Sequence, residues 1–171
     1  MYKLRELEKK DLQTINNWRN NNELISYLGA PFRYINLETE ERWFNNYMNN
    51  RQNNVRCSIV DNEDQIVGLA SLTNIDHLNQ SAEFHIMIGD SAKQGCGIGG
   101  FASTKMLEHA FFNLNLHRIE IEILENNSRS RHLYEKLGFV LEGIKRKAFY
   151  KNGDFVDVCI YSLLDSDYKK D

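Results

Sequence analysis

Proline is almost missing from this chain, with Pro31 the one example in 171 residues. No Gly/Ser-rich, repetitive or single-sign charged stretch takes its place as a linker, so residues 1–171 are read as one domain, long enough to bury a sizeable core. Long apolar runs are also missing. None approaches the ~20 residues needed to cross a bilayer, and the opening Met-Tyr-Lys-Leu-Arg-Glu-Leu-Glu is too charged for a secretory leader. Cysteine is scarce: Cys57, Cys96 and Cys159 are odd in number, far apart and without a Cys-x-x-Cys pair. That excludes a disulfide framework and fits a reducing, cytoplasmic setting. A large excess of one charge is absent as well. The net charge of -3 argues against a basic nucleic-acid surface. Neither nucleic acid nor membrane is expected as a partner. The five histidines (His77, His85, His109, His117, His132) lack metal-ligand spacing, so no metal is expected.

What the chain does have is glycine in one place. Gln94-Gly95-Cys96-Gly97-Ile98-Gly99-Gly100 lies between an alternating apolar segment, Ala82 to Ile88, and an amphipathic one, Phe101 to Leu114. Glycine loses the most backbone freedom on folding and has no side chain to bury. Its concentration there makes sense where main-chain N–H groups must approach an anion at a helix N-terminus. The ligand implied is a phosphate or diphosphate.

Around that loop the pattern gives short elements. Tyr2 to Leu7 alternates as a strand, and Asp11 is placed to cap a helix through Leu12, Ile15 and Trp18. Asn20 to Gly29 reads as a short helix or turn. Thr39 to Met48 reads as a helix with Trp43, Phe44 and Tyr47 on one face, as core or pocket wall. Val55 to Val60 and Ile66 to Thr73 form a hairpin signal, and Ala82 to Ile88 is a further strand. Ile119, Ile121 and Ile123 alternate with Glu120 and Glu122 in a strand. Ser128 to Leu137 suits a helix stopped by Gly138, and two last strands flank Asn152-Gly153, a tight-turn pair. The sum is an α/β (α+β) domain with a mixed, mostly antiparallel sheet flanked by helices.

These features resemble the GNAT acetyltransferases, in the branch that includes ribosomal-protein N-terminal and spermidine acetyltransferases. Gln94, Gly97 and Gly99 match the family's acetyl-CoA loop, Gln/Arg-x-x-Gly-x-Gly/Ala. Asn127, Ser130, Leu133, Tyr134, Leu137, Gly138 and Phe139 are similar to its second motif. Glu142-Gly143, Arg146, Tyr150, Gly153, Asp157 and Leu163-Leu164 are similar to the branch's C-terminal hairpin. The likeness is specific from about Ala82 to Leu164 and weak before Arg51.

The resemblance implies transfer of an acetyl group from acetyl-CoA, as co-substrate, directly to a primary amine: a peptide N-terminus, a polyamine or an amino sugar. The loop amides of Gln94, Gly95, Cys96, Gly97, Ile98, Gly99 and Gly100 would hold the diphosphate. A main-chain N–H among Ile86, Met87 and Ile88, on a splayed and bulged strand, would polarise the thioester. Asn127 and Ser130 would meet the cofactor, and both residue types also cap helices. Tyr134 stands where the family's general acid stands. Glu83, on the strand before the loop, is the first candidate for the base, with Glu120 second. Cys96 lies too far from the acyl carbon to serve as a nucleophile. Arg129 and Arg131 are read as phosphate contacts or a solvated helix face, and Trp18-Arg19-Asn20 as lying near the acceptor. Homodimerisation is common in the branch.

Two other classes compete. A non-catalytic acyl-CoA-binding module would keep the glycines, but Tyr134 argues against a lost acid. A dinucleotide-binding oxidoreductase finds Gly95, Gly97 and Gly100 at its three glycine positions. It would need parallel βαβ repeats, whereas the tail reads as a hairpin.

Overall fold

The structure, a computed structural model, describes residues 1–168. Seven strands form one sheet in the order β1-β2-β3-β4-β5-β7-β6. They are β1 (Lys3–Glu6), β2 (Val55–Val60), β3 (Ile66–Asp76), β4 (Ser81–Ile88), β5 (Arg118–Leu124), β6 (Val140–Lys151) and β7 (Asp154–Leu164). The helices are α1 (Leu12–Arg19), α2 (Asn22–Ser26), α3 (Leu37–Asn49), α4 (Ile98–Glu108) and α5 (Ser128–Lys136). Every neighbouring strand pair is antiparallel except β4 and β5.

Alternation along the strands sends side chains to two different layers. Ile59, Ala70, Leu72, Phe84 and Ile121 face α4 and α5, where they pack with Ala102, Met106, Leu107 and Tyr134 in the main core. The opposite face is covered by α1 and α3 around Leu7, Leu12, Ile15 and Tyr47, with Trp18, Trp43 and Phe44 against them.

Asp11 does not cap α1. Its side chain makes no cap bond there and is 3 % exposed. Instead it takes two hydrogen bonds from Arg5 at 2.7 and 2.8 Å, one from Ser58 Oγ at 2.7 Å and one from the Glu8 N–H at 3.0 Å. Burial alone would raise its pKa, but these donors outweigh burial and hold it below the usual carboxylate range. The signal read as a helix start is therefore a buried tie between β1, β2 and α1. The stripe expected through Leu114 also changes character, since α4 gives way at His109 to a wider turn of π type.

Two local readings hold in detail. α5 closes with the Gly138 N–H on Glu135 O and the Phe139 N–H on Tyr134 O. This pair of bonds satisfies the last carbonyls of the helix. Asn152 and Gly153 both have positive φ, as the two-residue β6–β7 turn needs.

Candidate active site

β4 and β5 run parallel and pair only from Ser81 to Glu83, opposite Arg118 to Glu120. Beyond that point β4 stays with β3 as far as Ile88, and β5 stays with β7 as far as Leu124. Each strand follows its antiparallel partner, so the two part and leave the facing edge of β4 without a ladder. The β3–β4 register is continuous from Leu72↔Phe84 to Gly68↔Ile88, so no bulge is needed at 86–88. The opening of the strand pair comes from the splay and not from a bulge.

A cavity of about 800 Å³ fills this gap. Its walls come from both faces of the sheet. Phe84, Ile86, Ile121 and Tyr134 belong to the α4–α5 side. Ser71, Thr73, Glu83, His85 and Met87 alternate with such residues and belong to the other side. The opening therefore passes through the sheet, connecting two faces that are otherwise separate.

Beside the cavity, beyond β4, stands the glycine loop. Gly95 and Gly97 have φ of 89° and 78°, the left-handed region in which a side chain is strained. Gly99 and Gly100 are different, because a Cβ there would meet Leu133 at an ordinary 3.5 and 3.6 Å. Packing does not demand glycine in this first turn, and each costs about 1 kcal/mol of helix propensity against alanine. The N–H groups of Gly95, Gly97, Ile98, Gly99 and Gly100 make no hydrogen bond among the described residues. Five amides at the start of an eleven-residue helix are thus left as unpaired donors on its positive end. Arg129 Nη2 lies 3.5 Å from where a Gly95 Cβ would stand, over the same loop.

The other loop residues divide. Gln94 donates from Nε2 to Ile88 O at 3.1 Å, which ties the loop to the end of β4. The Ile98 side chain is in the core, leaving its amide for the site, while Cys96 is exposed. Residues 94–100 do not line the cavity; they flank it beyond β4. Asn127 caps α5 by accepting from the Ser130 N–H at 3.1 Å and donates to Tyr27 O at 3.2 Å. Asn127 and Ser130 also line the cavity, so capping and exposure to it coexist. Ile86 and Met87 line it, and Ile88 does not. Arg131 is engaged elsewhere, on Tyr161 Oη and Glu125 O.

Tyr134 sits in the last turn of α5 with its ring edge-on to Phe84 and Phe139, centroids 6.2 and 5.3 Å away. It is 4 % exposed, and burial pushes its phenol well above the ordinary value; nearby Ser103 opposes this, without a hydrogen bond of good geometry. The phenol is therefore protonated at neutral pH.

Glu83 faces Glu120 across the last paired rung before the splay. Glu120 is held by Arg118 at 2.7 Å, and Glu122 by an ion pair with Lys145. Glu83 is bound only by Asn74 Nδ2 at 3.0 Å and approached by His85 Nε2 at 3.5 Å. His85 also meets Thr73 Oγ1 at 3.0 Å. Burial lowers the His85 pKa, so the ring is neutral at pH 7. Of the two candidate bases, Glu83 is the one without a fixed cation.

The remaining wall is a strap, residues 27–35, and it is fastened at several points. Asn16 and Asn20 both donate to Ile35 O, at 2.8 and 2.7 Å, and Asn20 Oδ1 accepts the Ile35 N–H. Lys151 Nζ donates to Ile25 O at 3.0 Å and also to Ala30 O. Arg19, Arg33, Trp43, Arg56 and His85 complete the wall. Sequence reasoning placed Arg19 near the acceptor but missed Arg33, Arg56 and His85. The available signal for Arg56 was a lone cation inside the apolar strand Val55–Val60.

A parallel pair that splays beside a glycine-started helix is the arrangement that the resemblance to acyl-CoA-dependent transferases implies. Residues 2–140 match the acetyltransferase (GNAT) domain family, and the chain belongs to it. It is 34% identical to the spermidine N(1)-acetyltransferase of Vibrio cholerae serotype O1, over 96% of this chain and 94% of that protein. It is 29% identical to the ribosomal-protein-serine acetyltransferase of Escherichia coli K12, over 71% and 68% of the two chains. The crystal structure of the V. cholerae spermidine N-acetyltransferase with CoA and spermine superposes with a TM-score of 0.92 at 33% identity, over 98% and 97% of the chains. The protein is an acetyl-CoA-dependent N-acetyltransferase acting on a primary amine.

Proposed function

We propose that the diphosphate of acetyl-CoA rests on the free amides of Gly95 and Gly97 to Gly100, with Arg129 beside it, and that the thioester lies in the splay against the unpaired edge of β4 at Ile86 to Ile88. The amine enters from the α1–α3 face beside Glu83. Its nitrogen attacks the thioester carbon, the new C–N bond forms and the C–S bond breaks. The nitrogen's proton passes to Glu83, directly or through water, and then to solvent. Tyr134 donates its O–H to the departing thiolate; a proton passed on to sulfur is replaced from solvent. The observation that carries this reading is a through-sheet cavity that joins Glu83 to Tyr134 beside five unbonded amides.

The relatives named above support a polyamine as acceptor, and Glu83, Glu120 and Glu122 offer carboxylates at the reacting end. Among the described residues no other carboxylate lines the cavity. Peptide N-termini and amino sugars therefore belong in the same acceptor panel. The free Cys57, Cys96 and Cys159 support a reducing, cytoplasmic location. Self-association fits the exposed Val140, Leu141 and Ile144 on the edge strand β6, and a dodecameric structure of the V. cholerae relative supports an assembly larger than a dimer. The deciding test incubates pure protein with acetyl-CoA and these amines and follows CoA release. No acceptor-dependent release from any class would reject the reading.

A further inference from the structure

Away from Glu83, the cavity is walled by arginine. Arg19, Arg33 and Arg56 all line it. Arg56 on β2 stands directly across from Ser71 on β3, which stands across from His85 on β4. These three side chains therefore form one row on the α1–α3 face. Arg19 reaches the same place from the end of α1. The two guanidinium carbons lie 4.3 Å (Arg19) and 5.0 Å (Arg56) from the centroid of the Trp43 ring.

The charges here do not balance. Glu40 approaches Arg19 at 3.4 Å, and neither of its oxygens accepts a hydrogen bond. Burial raises the Glu40 pKa, which weakens it further as a counter-charge. Among the described residues, the side chains of Arg56 and Arg33 make no hydrogen bond and no ion pair. Burial disfavours the charged forms of Arg19 and Arg56, and Arg19 repels Arg56 as well. Glu83, Glu120 and Glu122 line the far part of the cavity, so at Trp43 two half-buried guanidiniums, Arg19 and Arg56, share Glu40 as the one carboxylate within ion-pair distance among the described residues, an expensive arrangement unless something else neutralises it. A guanidinium stacked on an aromatic ring is also pre-oriented for two-point contact with a phosphate or carboxylate.

Building on the assignment of Glu83 to the amine end, we propose that the acceptor carries, besides its amine, a phosphate or carboxylate group that docks on Arg56 and Arg19 over Trp43. Two strand spacings of ~4.8 Å separate Arg56 from His85, and Glu83 lies two residues of ~3.4 Å further along β4 on the same face, so the amine and the anion are about 12 Å apart. This proposal departs from the polyamine that the relatives support, because a polyamine of that reach would bring a second ammonium against like charge.

The test compares ω-aminoalkyl phosphates, ω-amino acids and α,ω-diamines of increasing length as acceptors. The anionic series should have the higher kcat/KM, peaking near the length that spans this gap, and the better of the two anions identifies the group. Arg56→Gln should raise KM for the anionic amine about 10- to 100-fold, with kcat little changed and a far smaller effect on a plain alkylamine. Arg56→Lys should recover part of the loss. Preference for diamines, or an unchanged KM in Arg56→Gln, overturns the proposal. If that variant does not fold, inorganic phosphate supplies the answer in the native protein at saturating acetyl-CoA. Competition against the anionic amine supports the site, and no inhibition rejects it. If no amine at all is acetylated, the chemistry assigned to Glu83 and Tyr134 fails. Calorimetric binding of the ω-aminoalkyl phosphates to CoA-loaded protein, lost in Arg56→Gln, still decides the anion site.

Discussion

The proposed coenzyme seat beside the cavity and the acceptor end within it are built by different means. The seat is made of main chain: five amides, two left-handed glycines and the start of α4, all within residues 95–100. The acceptor end is made of side chains drawn from α1, the strap, α3, β2, β4 and β5. A backbone site tolerates exchange of its neighbours as long as the turn geometry survives. A side-chain site depends on every tie that brings distant elements together, here Arg5–Asp11–Ser58, Asn20–Ile35 and Lys151–Ala30. The difference teaches where this enzyme can change its substrate without losing its cofactor.

The largest effect tests the junction between the two ends. Tyr134→Phe keeps the ring against Phe84 and Phe139 and removes one hydroxyl. The fold and the affinity for acetyl-CoA should survive, while kcat falls by about 100-fold or more, the range for loss of a positioned acid. Because burial holds the phenol above its ordinary value, the native enzyme should show no loss of rate from phenol ionisation up to pH 10. A native kcat in the variant would remove Tyr134 from the chemistry and leave the two ends without a shared catalytic group.

The acceptor side should be the fragile one. Asp11→Asn replaces a buried carboxylate by a neutral amide while Arg5 keeps Asp64 at 3.2 Å, and should cost about 2 kcal/mol in urea unfolding at pH 7. The sign with pH follows from the folded-state pKa, which is depressed. The native stabilisation is fully present above the unfolded value of about 4 and is lost as pH falls through the folded one. The gap between native protein and variant should therefore narrow in strong acid. A constant gap down to pH 2 would show that Asp11 is not held as a carboxylate.

The same contrast explains what could be read from sequence. Gly95, Gly97, Asn127, Gly138 and Asn152-Gly153 announce themselves because each satisfies a local backbone demand within a few residues. The β6–β7 hairpin follows from alternation and from that turn, whereas the placing of β7 between β5 and β6 does not. Asp11 misled because a buried ion pair and a helix cap use the same residue type, and only β2 distinguishes them. Arg56, Ser71 and His85 lie on three strands and meet only through register, which no periodicity within one segment reveals. The splay is legible only as a mismatch between partners, since β4 and β5 each look like ordinary strands.

The smallest effect gives the sharpest separation of the two building modes. At Gly99 a Cβ would sit 3.5 Å from Leu133, with no clash, inside the first turn of α4. Gly99→Ala should therefore stabilise the protein, by up to about 1 kcal/mol through helix propensity. The same methyl would stand among the free amides of Gly97 to Gly100, where the proposed seat brings a diphosphate close to the backbone. KM for acetyl-CoA should rise several-fold, of the order expected for about 1 kcal/mol, while KM for the amine stays as it was. Stability and coenzyme affinity thus move in opposite directions from one methyl group. A variant that is more stable and binds acetyl-CoA as well as before would mean that glycine at this position serves neither packing nor the coenzyme, and the main-chain seat would have to lie elsewhere.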